Sequence, residues 1–205
     1  FDVGVHGIHP ELVKMVGKLK FRTSFAQNVF QHSLEVAFLA GAMAAELNLN
    51  VKQAKRAGLL HDIGKAVATP VQAHGKVGAQ ICDDYLSSMG CDNSRRSRIV
   101  RIVLNHSKHG CECDASLEAK VVSDADLLDE TGGITILWDA MACAGEDAPS
   151  YEKACDRIAR TYAKLKIELP DRLHTPTARR ILNERLLSID MFLKNLRYEL
   201  GSNED

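Results

Sequence analysis

The residues best placed for chemistry are His32, the adjacent pair His61-Asp62, and Asp126. His32 lies in the middle of a stretch that reads as a helix with an otherwise apolar buried face. His61 and Asp62 close the next helical stretch, just ahead of Ile63-Gly64-Lys65, and Asp126 puts a carboxylate into the apolar run Val121 to Leu128. Neighbours on a helix point about 100° apart. His61 and Asp62 therefore reach one site only where their helix ends, and Gly64 reads as a C-cap glycine for such an end. Two imidazoles and two carboxylates suit a borderline or hard divalent ion such as Mn, Fe or Zn. Such an ion polarises a phosphoryl oxygen and brings the pKa of bound water toward ~7, so no side-chain nucleophile is needed. A lone histidine on an apolar helix face also reads as a hydrogen-bonded core residue, and spacing by itself leaves both readings of His32 open.

The elements that must position these groups are helical. Residues 27–47 carry apolar side chains at three- and four-residue steps and are rich in Ala and Leu, strong helix formers. Asn48 and Asn50 interrupt the pattern and Val51 to Leu60 forms a second helix. Further helices are expected at 76–89, 94–106, 116–130, 133–143 and 151–166. A long last helix starts from Thr175 as N-cap with Pro176 in its first turn and runs to Leu200. No alternating strand pattern stands out, and Pro70, Cys111–Asp114, Gly145–Pro149 and Pro170 mark loops. The expected architecture is all-α, a single helical-bundle domain over 1–205 with a long C-terminal helix.

Composition bounds the function. The 205 residues are 45% hydrophobic and 26% charged with a formal net charge of -1, so any attraction to phosphate must be local. No apolar run approaches the ~18 residues of a membrane span, and residues 1–10 lack the basic flank and apolar stretch of a signal peptide. A cytoplasmic location is expected. Six cysteines at 82, 91, 111, 113, 143 and 155 show no secreted-domain spacing, and Cys111 and Cys113 lack the second pair that a structural zinc site requires. Local cations are candidates for phosphate contact: Lys65 directly after the metal pair, and Arg22. Arg95, Arg96, Arg98 and Arg101 crowd one helix start, which opposes the helix dipole and suits either an anionic partner or a solvated face. Asn28, one turn before His32, is expected to face the same pocket, and Asp124 to be a solvated charge.

His32, then His61-Asp62, then Asp126 within Ala125-Asp126-Leu127-Leu128 resembles the motif of the HD superfamily of phosphohydrolases, and His61-Asp62-Ile63-Gly64-Lys65 matches its HDIG variant. From Phe1 to about Ala66, with His9-Pro10-Glu11-Leu12, Arg22-Thr23-Ser24 and Gln27-Asn28, the chain is similar to the HD domain of the ribonuclease Y family. The resemblance implies an all-helical HD fold with His32, His61, Asp62 and Asp126 as ligands to one or two divalent ions (Mn, Fe, Mg or Zn). It also implies His74 and His106 as ligands to a second ion, with Asp62 bridging. The ribonuclease Y pattern has two adjacent histidines where this chain has His106-Ser107-Lys108-His109, so His109 competes with His106 for that place. The family's aspartate aligns with Asp126, which leaves Asp129, on the same helix face, as a group behind the ligands or facing substrate. Past Ala66 the likeness shifts. Leu169-Pro170, Thr175-Pro176-Thr177-Ala178-Arg179, Arg185 and Phe192 resemble the tail of stand-alone bacterial HD hydrolases.

Three functions follow from this reading. The first is hydrolysis of a phosphate ester, a nucleotide or a phosphodiester, by metal-activated water. Asp62 and Lys65 sit at the reacting centre, Lys65, Arg22 and Asp129 contact substrate, and His106 or His109 protonates the leaving oxygen. The second is an endoribonuclease activity like that of ribonuclease Y, with RNA as partner. Against it stand the balanced charge and the lack of a basic Gly-x-x-Gly loop. The third is a nucleotide sensor that keeps the pocket without turnover, against which stands the complete ligand set.

Overall fold

A computed structural model of the chain describes residues 3–24, 27–69, 73–106 and 116–201. His109, Cys111, Cys113 and the loop marked by Pro70 lie outside the described residues. By contact density the chain divides into two compact units, 1–129 and 130–205.

In the first unit, α1 (Pro10–Leu19) leads into a two-stranded hairpin, β1 (Thr23–Ser24) and β2 (Gln27–Asn28), paired antiparallel with Thr23 opposite Asn28 and Ser24 opposite Gln27. Then follow α2 (Val29–Glu46), α3 (Val51–Leu60), a 3₁₀ turn (Ile63–Ala66), α4 (His74–Ser88), α5 (Asn93–Asn105) and α6 (Leu117–Asp129). The expected helices after residue 50 appear within two residues of their anticipated ends. α1 was not anticipated. Pro10 in its first turn and the His9 side chain, which accepts from Glu11 N, are the start signals. The hairpin too is a departure, since Gln27 and Asn28 pair as strand rather than opening α2.

α2 and α6 form the centre. Val36, Ala40, Met43 and Ala44 of α2 and Val121, Val122, Ala125 and Leu128 of α6 are buried. α6 is covered on nearly every side, and Asp124 is 0% exposed, so it is a buried group and not the solvated charge expected from its position. α3 approaches α2 backbone to backbone. A Cβ on Gly58 would stand 2.7 Å from Ala37 Cα, so the small residue lets the two axes draw together and brings His61 toward His32.

Gly64 also permits a close approach, but not as a C-cap. α3 ends at Leu60, and Gly64 lies inside the 3₁₀ turn and is not among the glycines of positive φ. A Cβ there would meet His74 O at 2.1 Å and Gly78 N at 2.7 Å, so a hydrogen is all the backbone of α4 leaves room for.

The second unit contains α7 (Gly133–Ala144), α8 (Tyr151–Glu168), a short 3₁₀ turn (Pro170–Arg172) and α9 (Pro176–Glu199). Its core is Ile158, Leu165, Leu169, Leu173, Leu182, Leu186, Ile189 and Leu193. Thr175 caps α9, its hydroxyl accepting from Ala178 N at 3.2 Å, with Pro176 next as expected. No helix among the described residues is long and apolar enough to cross a membrane.

Candidate metal centre and cleft

Three elements bring the first ligand set together. His32 projects from the second turn of α2, His61 and Asp62 from the end of α3, and Asp126 from α6. His32 Nε2 lies 3.1 Å from His61 Nε2, 3.1 Å from Asp126 Oδ1 and 3.6 Å from Asp62 Oδ2. His61 Nε2 lies 3.4 Å from Asp126 Oδ1 and 3.5 Å from Asp62 Oδ2. Ligand atoms held about 2.0–2.2 Å from one ion are themselves about 2.8–3.6 Å apart at octahedral or tetrahedral angles, and these separations fall in that range.

The histidine tautomers support the same reading. His61 Nδ1 donates to Gly58 O at 2.6 Å and His106 Nδ1 to Val103 O at 2.7 Å, and a carbonyl oxygen can only accept. His32 Nδ1 donates to Asp129 Oδ2 at 2.8 Å. With Nδ1 donating in all three rings, Nε2 is the nitrogen that each turns toward the cluster, the one whose lone pair an ion would take. His106 Nε2 and both oxygens of Asp62 are buried without a well-directed hydrogen bond, although the Lys65 ammonium is 2.6 Å from Asp62 Oδ2 as an ion pair. Converging imidazole Nε2 atoms and carboxylates with such orphaned buried atoms fit a cation.

A second set shares Asp62. Its Oδ1 lies 3.3 Å from His74 Nε2, at the start of α4, and 3.5 Å from His106 Nε2, at the end of α5. Asp62 therefore turns one oxygen to each set.

Without an ion, protons and side-chain charges balance the cluster. Burial pushes the His32 imidazole down, but hydrogen bonds to Asp126 and Asp129 outweigh it and hold its pKa at about 10, against an ordinary 6.5. Burial lifts the Asp62 carboxyl, yet the charges of His61, His106 and Lys65 hold it well below the carboxylate range. Asp126 is lowered likewise by His32 and His61 against its own burial. Burial pushes His74 down, whereas His106, also opposed by burial, is raised by its contact with Asp62.

Beside the cluster opens a cleft of ≈ 250 Å³ lined by Arg22, Thr23, Ser24, Val29, Lys65, Ala68, Thr69 and His74. It joins the two expected phosphate cations to hydroxyls of the hairpin. Arg22 is anchored by donating to Ala66 O at 3.5 Å.

Other expectations fare differently. Asp129 is 1% exposed and sits behind His32, on the Nδ1 side of the ring, and is not among the residues lining the cleft. The Asn28 side chain is committed elsewhere than to the His32 ring. It is the N-cap of α2, accepting from Phe30 N and Gln31 N, and donates to Lys20 O. The neighbour that does reach this layer is Gln27, whose Nε2 donates to Asp129 Oδ2 at 2.8 Å. Its only sequence signal is the place just before the α2 cap. Of the arginines on α5, Arg96 pairs with Asp83 at 3.1 Å, while Arg95, Arg98 and Arg101 lie at the surface.

The family profile of the HD domain matches residues 29–131, half of the chain. The chain belongs to the HD-domain family. Among curated proteins it is 54% identical over 129 residues to ribonuclease Y of Geotalea uraniireducens, an alignment covering 62% of this chain and 23% of that protein. The likeness thus runs well beyond residue 66, further than the motifs near the start of the chain imply, and the chain spans about a quarter of the relatives' length. Among solved structures it resembles a predicted HD superfamily hydrolase from an uncultured Thermotogales bacterium, with a TM-score of 0.65 at 23% identity, covering 93% of this chain and 92% of that one. It also resembles YpgQ of Bacillus subtilis, solved in complex with ADP, with a TM-score of 0.59 at 22% identity, covering 92% and 96%.

Proposed function

We propose that the chain is a metal-dependent phosphohydrolase whose first ion is held by His32, His61, Asp62 and Asp126. The observation that carries this is the convergence of imidazole Nε2 atoms and carboxylate oxygens at 3.1–3.6 Å, beside a cleft lined by Arg22 and Lys65. The ion would supply a Lewis acid for the phosphoryl oxygen and a nucleophile drawn from water near neutral pH. The chain's own residues do the rest. Lys65 and Arg22 offer positive charge to the phosphoryl oxygens, and Thr23, Ser24 and Thr69 offer hydroxyl hydrogen bonds. Burial of the cluster keeps the competing dielectric low. His106 serves better as a ligand than as a proton donor: its Nδ1 is committed to Val103 O, and an Nε2 that holds an ion has no proton to give.

Within this reading the substrate is a phosphodiester, because Asp62, His74 and His106 form a second ligand set and two ions can steady attacking and leaving oxygens together. RNA is the second reading, favoured by the identity to proteins named ribonuclease Y. That residues 1–205 act as one HD-type domain is part of the proposal, supported by solved HD structures covering 93% of the chain. A cytoplasmic site of action goes with phosphorylated substrates of this kind.

The test is hydrolysis of bis(p-nitrophenyl) phosphate and p-nitrophenyl phosphate by protein loaded with Mn²⁺, Fe²⁺, Mg²⁺ or Zn²⁺. Diester cleavage that disappears with chelator is expected, and monoester cleavage alone would remove the two-ion reading. Cleavage of RNA that falls when Arg95, Arg98 and Arg101 are replaced, and falls with salt, would favour the ribonuclease. Binding of nucleotides without turnover of any ester would leave a sensor.

A further inference from the structure

The three buried histidines of the cluster are braced in two different ways. His61 and His106 rest on backbone carbonyls, Gly58 O and Val103 O. His32 rests on a carboxylate, Asp129, which is 1% exposed. A carboxylate at the back of an imidazole fixes the Nδ1–H tautomer and makes Nε2 a stronger donor than a carbonyl does. Asp129 is itself held. Its Oδ2, the oxygen that meets His32, also accepts from Gln27 Nε2 at 2.8 Å, and the same amide nitrogen lies 3.2 Å from Glu35 Oε2. Glu35 in turn accepts from Gln31 Nε2 at 2.8 Å.

Gln27 belongs to β2, paired with Ser24 of β1, and Arg22, Thr23 and Ser24 form a wall of the cleft. One chain of contacts thus runs from the cleft wall through Gln27 and Asp129 to the imidazole of His32. Asp129 enters from the last residue of α6, one turn after Asp126, so a single helix presents both a candidate ligand and the brace of another.

We propose that Asp129, oriented by Gln27, is a positioning residue that sets the tautomer and donor strength of His32 and ties the hairpin of the cleft to the metal centre. The proposal rests on the metal-site reading above. Asp129→Asn removes the charge, and its amide can turn an NH₂ toward Nδ1, which would force the proton onto the nitrogen that faces the cluster. Gln27→Ala leaves Asp129 in place but without its second donor.

Two measurements test this. Mn²⁺ titration followed by electron paramagnetic resonance should show affinity falling about 10–100-fold in Asp129→Asn and by a smaller factor in Gln27→Ala. In the metal-free protein, nuclear magnetic resonance of ¹⁵N-histidine should show a downfield, slowly exchanging His32 Nδ1 proton that is lost in Asp129→Asn and exchanges faster in Gln27→Ala. A purely packing role for Asp129 would not move that proton. Wild-type Mn²⁺ affinity in Asp129→Asn, or a His32 Nδ1 proton that exchanges freely in the unaltered protein, would overturn the proposal. Should Asp129→Asn not fold, Gln27→Ala decides, and unchanged affinity with an unchanged Nδ1 signal overturns it. If the unaltered protein binds no Mn²⁺, the metal reading fails, while the His32 proton still tests the brace.

Discussion

Replacing Gly64 with alanine should remove the second ion and spare the first. The added methyl carbon would stand 2.1 Å from His74 O and 2.7 Å from Gly78 N, both backbone atoms that no rotamer change can move. Ordinary contact lies near ~3.5 Å, so the first turn of α4 must retreat by about 1 Å or more. That turn carries His74, whose Nε2 is 3.3 Å from Asp62 Oδ1. Metal–nitrogen bonds tolerate about ±0.2 Å, so a retreat of this size takes His74 out of reach. Of the first set, His32 and Asp126 stand on α2 and α6, away from the contact, and His61 closes α3 on the far side of the 3₁₀ turn from α4's first residue. Overpacking of this kind costs about 1–3 kcal/mol, and misplacing a reacting group by ~1 Å costs about 100-fold in rate. The assay is elemental analysis of Mn-loaded protein, with a thermal melt and the diester rate. The expected result is a drop from two ions per chain to one, a lower Tm, and diester cleavage reduced about 100-fold. Two ions and an unchanged Tm would refute the idea that backbone crowding at Gly64 sets the place of His74.

Other outcomes follow from the same geometry. Asp62→Ala should abolish metal binding and activity while far-UV circular dichroism stays near wild type, since it removes an oxygen from both sets and no core packing. His74→Ala should lower the metal count by one and leave the remaining ion bound, as elemental analysis would show. Asn28→Ala should cost about 1 kcal/mol of stability through the lost cap, readable by urea unfolding, with Mn²⁺ affinity unchanged because the Asn28 side chain is spent on the cap and on Lys20 O. For pH, the raised pKa of His32 means that the metal-free protein gains stability from its protonation. That gain is full below the unfolded value near 6.5, shrinks above it, and is gone once pH passes about 10. The metal-free Tm should therefore fall between pH 7 and 10, less so in His32→Asn. Metal loading at pH 7 should release about one proton from this ring, which calorimetry in buffers of different ionisation enthalpy would register.

Much of this protein is written locally. The helices after residue 50 are legible because apolar periodicity, Asn and Thr caps and Pro176 act over a turn or two of chain. The residues that converge on the cluster were legible because histidines and aspartates in apolar helices are costly unless something binds them. Other features depend on neighbours far along the chain. Gly64 looked like a helix end, and only the backbone of α4 packed against it shows why a side chain is excluded. Asp124 looked exposed by spacing, but α6 is covered on nearly every side. Asn28 and Gln27 are adjacent and chemically alike. Two hydrogen-bonded residue pairs of hairpin turn Asn28 into a helix cap and send Gln27 to Asp129, 102 positions away. Residue type and local spacing determined the helices and the donor atoms. Which nitrogen faces the cluster, which carboxylate braces it and which glycine makes room were decided by tertiary packing, because those depend on distances between segments that sequence spacing does not measure.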